Sequence, residues 1–392
     1  MSFRPQQLQY NQQDDEDAVP FRIPDRDVYR RNVSSFGSIH AYLSNRFTIR
    51  GYADRRLMQP HYSHLKHIMT PYGNRANPAD GICTRFLRKG LIKPNKIQMN
   101  VAVWSADARW LVLGTQSGDI ALWEGDTLKV HKVVSVPAHK VLDGDRVKES
   151  IPITAMAWNN HGNVLVTGDN RGTIQYCDET FRNITVINEA HNSGSAIRGL
   201  SYSPLDSKLV SCGDDALLHI WGVGQIVPER TLEGHQSDVK SVDWHPHRAL
   251  IASASRDATL RLWDPRQVGP LSTLYGHKKQ VNVCSWNKNG NWLASGSKDG
   301  LVKLYDIRTM KEFEMLRGQN SDICSLGWHP HHESLLLSGG YNGSLIYWLV
   351  GTNQAPHTAI ADAHRLVVIR LTYPCNSPHD TLNIHFFSSP SV

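Results

Sequence analysis

One stretch of the chain, Gly234 to Asp264, reads GHQSDVKSVDWHPHRALIASASRDATLRLWD and constrains the fold more than any other. It holds a Gly-His pair, an apolar run ending at Trp244, a His-Pro turn, a small-residue strand, Asp257 and a closing Trp263-Asp264. The same order of marks returns along the chain. The closing aromatic stands at Trp123, Trp221, Trp263, Tyr305 and Trp348, with Cys177-Asp178 in the slot after Trp123. An inner aromatic stands at Trp104, Trp158, Tyr202, Trp244, Trp286 and Trp328. Both ladders step by 54, then 44, then 42 to 43 residues. A period of roughly 40–45 residues with Gly-His and Trp-Asp marks is one four-stranded blade of a propeller, a unit that buries its faces only by stacking on its neighbours. The sequence therefore predicts an all-β WD-repeat β-propeller over residues 82–365, with seven blades expected and the last degenerate or incomplete.

The blades follow in order. Blade one runs from Gln98 to Gly125, and blade two opens at Ala138-His139. The insertion KVLDGDRVKES before Ile151 explains the long first step and is expected to form a surface loop. Blade three runs from Ala190-His191 to Trp221-Gly222, blade five from Gly276-His277 to Tyr305-Asp306, and blade six from Gly318-Gln319 to Trp348. Residues 82–88, ICTRFLR, alternate as a strand and are expected to complete the last blade, which would close the ring and remove two free sheet edges. Ala363-His364 announces a seventh blade, but residues 366–392 lack the later marks and form a divergent tail.

The ordered polar residues imitate catalytic sets. His235, Asp257, a hydroxyl at Ser253 or Ser255 and Trp263 form one; His277, Asp299, a hydroxyl at Ser295 or Ser297 and Tyr305 form another. An active site is built once, whereas this set recurs, so the residues are expected to satisfy one another's buried polar groups as structural tetrads. Gln319 and Asn342 replace the His and Asp in blade six, as a structural role tolerates. Neither a Gly-rich phosphate loop nor a unique nucleophile with a base occurs, so no enzyme, catalytic residue or cofactor is expected. The six cysteines are scattered without CxxC spacing and read as small buried hydrophobes in a reducing compartment. His61, His64 and His67 have no carboxylate or Cys beside them, so no metal site is expected there.

Charge separates the front of the chain from the repeats. Residues 1–98 hold twelve Arg and four Lys against seven Asp and one Glu, an excess of eight positive charges. The whole chain carries +6, which leaves the repeats at −2. Residues 1–20 are Gln-rich and acidic and are expected to be disordered. Residues 21–81 form a basic arm in which Ser34 or Ser35 caps a short helix with Ile39, Tyr42, Leu43 and Phe47 on one face. Neither a signal-peptide core nor a membrane-length apolar run is present, which points to an intracellular protein. Arginine makes bidentate phosphate contacts, and Phe21, Tyr29 and Phe36 are interleaved with it, so the arm suits single-stranded RNA or the acidic face of a protein.

The arm segment YRRNVSSFGSIHAYLSNR followed by RRLMQP, the strand TRFLR and the blade sequences GHQSDVKSVDWHP, GNWLASGSKDGLVKLYDIR and GWHPHHESLLLSGGYNGSLIYWLVG together resemble one propeller family. It is the WD-repeat subunit of the nuclear mRNA 3′-end cleavage and polyadenylation specificity factor, and the resemblance covers about Val28 to His364. It implies a non-enzymatic nuclear scaffold that docks with the factor's largest, multi-propeller subunit beside a zinc-finger subunit. It also implies that a basic segment before the arm helix helps bind the polyadenylation signal in pre-mRNA, with two aromatic rings sandwiching a base pair. Phe21 stands for the first ring and Arg22, Arg26, Arg30 and Arg31 for the basic cluster, although Pro24, Asp25 and Asp27 interrupt the charge. The second ring meets Leu128 and Val130, so half of the sandwich is missing, and stacking contributes about 1–3 kcal/mol per base. The arginines serve RNA phosphates, acids on the largest subunit, or both. The alternative is a substrate adaptor of a ubiquitin ligase or another protein-modifying complex, since the fold supports either task.

Overall fold

A computed structural model describes residues 98–360, apart from 107–108, 125–129, 137–138, 144–145, 193, 330–332, 352–355 and 357. Six antiparallel four-stranded sheets follow one another in chain order, each built from consecutive strands. The first holds β1 (Met99–Trp104), β2 (Trp110–Thr115), β3 (Asp119–Glu124) and β4 (Val130–Ser135). A two-stranded hairpin, β5 (Lys140–Asp143) and β6 (Arg146–Ser150), precedes the second sheet of β7 (Ile153–Trp158), β8 (Val164–Asp169), β9 (Ile174–Asp178) and β10 (Asn183–Ile187). The third contains β11 (Ile197–Tyr202), β12 (Lys208–Gly213), β13 (Leu218–Gly222) and β14 (Arg230–Leu232). The fourth contains β15 (Val239–Trp244), β16 (Ile251–Ser255), β17 (Leu260–Trp263) and β18 (Pro270–Leu274). The fifth contains β19 (Val281–Trp286), β20 (Trp292–Ser297), β21 (Val302–Asp306) and β22 (Lys311–Leu316), and the sixth β23 (Ile323–Trp328), β24 (Leu335–Gly340), β25 (Leu345–Leu349) and β26 (Thr358–Ile360).

The propeller architecture holds, with two adjustments. The insertion in blade two is a hairpin rather than a loop; its base is closed by the Ile151 N–H donating to the His139 carbonyl at 2.8 Å. Each sheet also runs one strand past its Trp-Asp mark. The sheet that contains Trp263 is completed by β18, which lies beyond Asp264. The mark therefore closes the third strand, and the sequence repeat and the sheet are out of phase by one strand. The seventh blade, the strand over 82–88, the arm with its helix, the leader and the tail lie outside the described residues, as do His61, His64 and His67.

The six first strands share a device. In every one the register with the second strand slips after the first residue, leaving Asn100, Thr154, Arg198, Lys240, Asn282 and Cys324 bulged. A bulge re-aims the side chain of the skipped residue, and here three of them reach the next sheet. Asn100 Nδ2, Thr154 Oγ1 and Asn282 Nδ2 donate to the carbonyls of Ile153, Ile197 and Ile323 at 3.1, 2.6 and 2.8 Å. Between the third and fourth sheets charge replaces the amide: Lys240 Nζ contacts Asp214 Oδ1 and Asp238 Oδ2 at 2.9 Å each, while Arg198 also grips Asp214. The inner aromatics stitch the same seams, as the Trp286 and Trp328 indole N–H groups donate to the carbonyls of Asp243 and Ser285 at 3.1 Å.

Apolar packing fills the space between sheets. Val210, Leu218, Ile220, Val242, Trp244 and Ile251 form one cluster across the third and fourth sheets. Ala294, Val302, Leu304, Ile323, Leu326 and Trp348 form another across the fifth and sixth. Complete burial of a Leu, Ile or Val side chain contributes about 1.5–3 kcal/mol. These seams, rather than any single sheet, hold the molecule together.

Candidate interaction site

The sequence-expected tetrads form, and their hydrogen bonds run in one direction. In the fourth sheet His235 Nδ1 lies 2.8 Å from Asp257 Oδ2 and Nε2 lies 2.6 Å from Ser253 Oγ. The Trp263 indole donates to the same Oγ at 2.8 Å. Asp257 is an acceptor, so His235 carries its proton on Nδ1 and its Nε2 accepts from Ser253, which in turn accepts from Trp263. The third sheet repeats this with His191, Asp215, Ser211 and Trp221 at 3.0, 2.8 and 2.9 Å. Burial pushes the His235 and His277 pKa values down, more than their Asp partners raise them. For Asp257 burial pushes upward, but hydrogen bonds from Thr259 and His235 outweigh it and hold the value at about 2. The tetrads of the fourth and fifth sheets thus set an imidazole that disfavours protonation beside an ionised carboxylate.

Substitutions within the series are instructive. The second sheet keeps His139, Asp169 and Thr167 at 3.1 and 2.8 Å but has Cys177 in the Trp slot. The fifth keeps His277, Asp299 and Ser295 at 3.0 and 2.8 Å. Tyr305 fills its Trp slot and is buried, with its hydroxyl toward Ser295. Tyr305 thus takes the position beside Ser295 that the indole takes in the third and fourth sheets. In the sixth sheet Gln319 replaces imidazole: Ser338 Oγ donates to Gln319 Oε1 at 2.7 Å, and the Trp348 indole donates to Ser338 at 2.8 Å.

The Gly-His mark has a separate physical cause. Gly234, Gly276 and Gly318 have φ of +159°, +151° and +152°, a region that disfavours side chains. A Cβ at Gly234 would also lie 2.8 Å from an Arg261 terminal nitrogen and 3.1 Å from Trp263 Cη2. Among the described residues, His191, Asp215 and His219 bring possible metal-ligand atoms within 4.8 Å of one another. Both His191 nitrogens are engaged, by Asp215 and Ser211, and His219 Nδ1 faces Thr231 Oγ1 at 3.0 Å, so the group is a hydrogen-bonded network.

With its chemistry turned inward, the molecule offers partners its rims and its upper loops. The loops before the first strands and after the second strands are tied together in each sheet, as where the backbone N–H groups of Arg256 and Lys298 donate to the carbonyls of Asp238 and Gln280 at 2.9 and 3.0 Å. The exposed Arg256, Lys278, Lys279 and Lys298 therefore share one face over the fourth and fifth sheets. Sequence reasoning missed this face, because its members are scattered until the sheets stack. The arm residues Phe21, Arg22, Arg26, Arg30 and Arg31 lie outside the described residues.

Repeated inward tetrads on radially stacked four-stranded sheets define a WD-repeat propeller. The family model for the WD domain, G-beta repeat, matches residues 139–178, 182–222, 226–264, 269–306 and 310–348, and the chain belongs to that family. Among curated proteins it is similar to polyadenylation factor subunit 2 of Cryptococcus neoformans var. neoformans serotype D, 33% identical over 186 residues, 47% of this chain and 24% of the relative. The protein of the same name from Candida albicans is 36% identical over 163 residues, covering 41% and 27% of the two chains. That from Neurospora crassa is 33% identical over 225 residues, covering 56% and 31%. The chain thus spans about a quarter to a third of the length of these relatives, and they bear out the resemblance read from its arm and blades. Protein TOPLESS of Arabidopsis thaliana is also similar, 30% identical over 149 residues, 34% of this chain and 13% of that protein.

Proposed function

We propose that the chain is a non-enzymatic scaffold subunit of the nuclear pre-mRNA cleavage and polyadenylation complex. The observation that carries this reading is the similarity to polyadenylation factor subunit 2 from several fungi. The inward-facing tetrads support the scaffold half, because the residues that imitate catalytic sets are consumed in holding the sheets together. In this reading the propeller docks on the complex's largest subunit beside the zinc-finger subunit. The arm, through Phe21, Arg22, Arg26, Arg30 and Arg31, reaches the RNA of the polyadenylation signal.

Two measurements test it. Tagged chain purified from cells is expected to bring down other polyadenylation subunits; recovery of ubiquitin-ligase subunits in their place would replace the scaffold reading with the adaptor one. RNA crosslinking by the intact complex is expected to weaken when Arg26, Arg30 and Arg31 are all changed to Ala. The affinity should then depend less steeply on salt, since fewer phosphates are neutralised. Unchanged crosslinking removes the RNA half and leaves the scaffold half standing.

A further inference from the structure

The third strand of each sheet carries a side chain two residues before its closing residue, and in the fourth and fifth sheets that side chain lies beside the Gly of the Gly-His mark. In the fifth sheet it is Lys303, whose Nζ is 2.6 Å from Glu312 Oε2; a Cβ on Gly276 would meet that amine, that carboxylate and the Tyr305 hydroxyl at 3.0, 3.3 and 3.4 Å. In the third sheet it is His219, satisfied by Thr231. In the sixth it is the apolar Ile346, and a Cβ on Gly318 would meet Pro356 and Trp348. The fourth sheet mixes the two arrangements. It has the cation, Arg261, but in the place of the acid it has Pro270, which pairs with Trp263 as Glu312 pairs with Tyr305. A Cβ on Gly234 would meet Arg261, Trp263 and Pro270, the same cluster without its carboxylate.

Arg261 consequently forms no ion pair or hydrogen bond among the described residues, and its Nε is buried without a partner. The neighbouring carboxylate is not available. Asp257 Oδ2 is held by His235 and the Gln236 N–H, and Oδ1 by the Thr259 N–H and hydroxyl at 2.9 and 2.6 Å. A half-buried guanidinium left without a counterion is costly, and its fork of donors matches a carboxylate. Arg261 opens into a cleft of about 320 Å³ lined by Gln236, Asp257, Thr259, Tyr275 and His277. Tyr275 stands at the mouth, 75% exposed.

We propose that this cleft, between the fourth and fifth sheets, is a docking site for an acidic side chain of a partner polypeptide, which supplies to Arg261 the carboxylate that Glu312 supplies to Lys303. One carboxylate suits the cleft better than a nucleic acid does. Its lining holds a single cation, Arg261, rather than the row of cations that a phosphate backbone takes, and the fifth sheet answers the equivalent cation with a carboxylate. Tyr275 and the exposed Lys278 and Lys279 beside it flank the entry for the rest of such a peptide. The site does not depend on which complex the protein serves, so a failure of the co-purification above leaves it standing.

The test uses full-length protein and the fluorescence anisotropy of a fluorescein-labelled polyglutamate peptide, with an oligouridylate of equal charge as the second arm. Polyglutamate is expected to bind the unaltered protein, and Arg261→Ala to weaken it at least tenfold. Pro270→Glu restores the counterion found in the fifth sheet, so it is expected to keep or raise the melting temperature while weakening peptide binding to the same degree. That variant separates a binding role from a folding one. Equal affinity of Pro270→Glu and unaltered protein for polyglutamate overturns the proposal. So does binding of oligouridylate alone that both substitutions abolish, which would assign the cleft to phosphate.

Discussion

Replacing Ser253 with Ala tests the tetrad reading most directly. The Ser253 hydroxyl is fully buried and sits between two groups, His235 Nε2 at 2.6 Å and the Trp263 indole N–H at 2.8 Å. Its loss removes little volume but leaves both without a partner. A buried polar group that loses its partner costs about 1–3 kcal/mol, so two of them cost about 3 kcal/mol, allowing for partial relaxation. The second sheet provides an internal control. Thr167 meets only His139, because Cys177 replaces the indole, and Thr167→Val strands one group instead of two. Its cost should be about half as large. Urea titration of the full-length protein, followed by tryptophan fluorescence, gives both values from the shift in midpoint at constant slope. The Ser253→Ala/Asp257→Ala double variant should lose less than the sum of the two single changes, since the four groups act as one unit. A Ser253→Ala midpoint that moves by less than about 0.5 kcal/mol, or one that moves less than that of Thr167→Val, would refute the reasoning.

Two further outcomes follow from the same geometry. Burial, aided by the neighbouring His191, lowers the His219 pKa to about 4, while Asp215 opposes the shift. The unfolded chain takes up this proton near the ordinary value of 6.5, so unfolding binds protons between the two. Stability contributed by His219 is complete above that range and is lost as the pH falls toward 4, with the lowered His235 and His277 acting in the same sense. The melting temperature of His219→Gln should therefore fall less steeply between pH 6.5 and 4 than that of the unaltered protein. Gly290 has φ of +72°, and a Cβ there would lie 2.3 Å from the His245 ring, whose Nε2 faces the Gly290 carbonyl at 2.9 Å. Gly290→Ala should destabilise the protein by about 1–3 kcal/mol, read as a lower melting temperature, whereas Gly224→Ala, also at positive φ but with open space around it, should cost less.

The architecture was readable because its marks are local and periodic. Gly-His, the inner aromatic, Asp and Trp-Asp recur at fixed offsets, and chemistry that recurs with every sheet is structural whichever chain carries it. The same logic found the His–Asp–hydroxyl sets before their distances were known, and it identified Gln319 as an acceptable stand-in for imidazole. It took the insertion after His139 for a loop, because seven intervening polar and charged positions conceal a short paired hairpin.

What the sequence determined by itself was the repeat, its strand content and the membership of each tetrad, all of which depend on neighbours within one period. The tertiary structure decided everything that depends on register and on the next sheet. It shifted the sheet by one strand from the repeat, and it aimed the bulged Asn100, Thr154 and Asn282 across the seams. It also set Pro270 opposite Trp263, where an acid would have neutralised Arg261. A cation's counterion is a matter of position in space, and cross-strand pairing brings together residues that the linear order keeps apart.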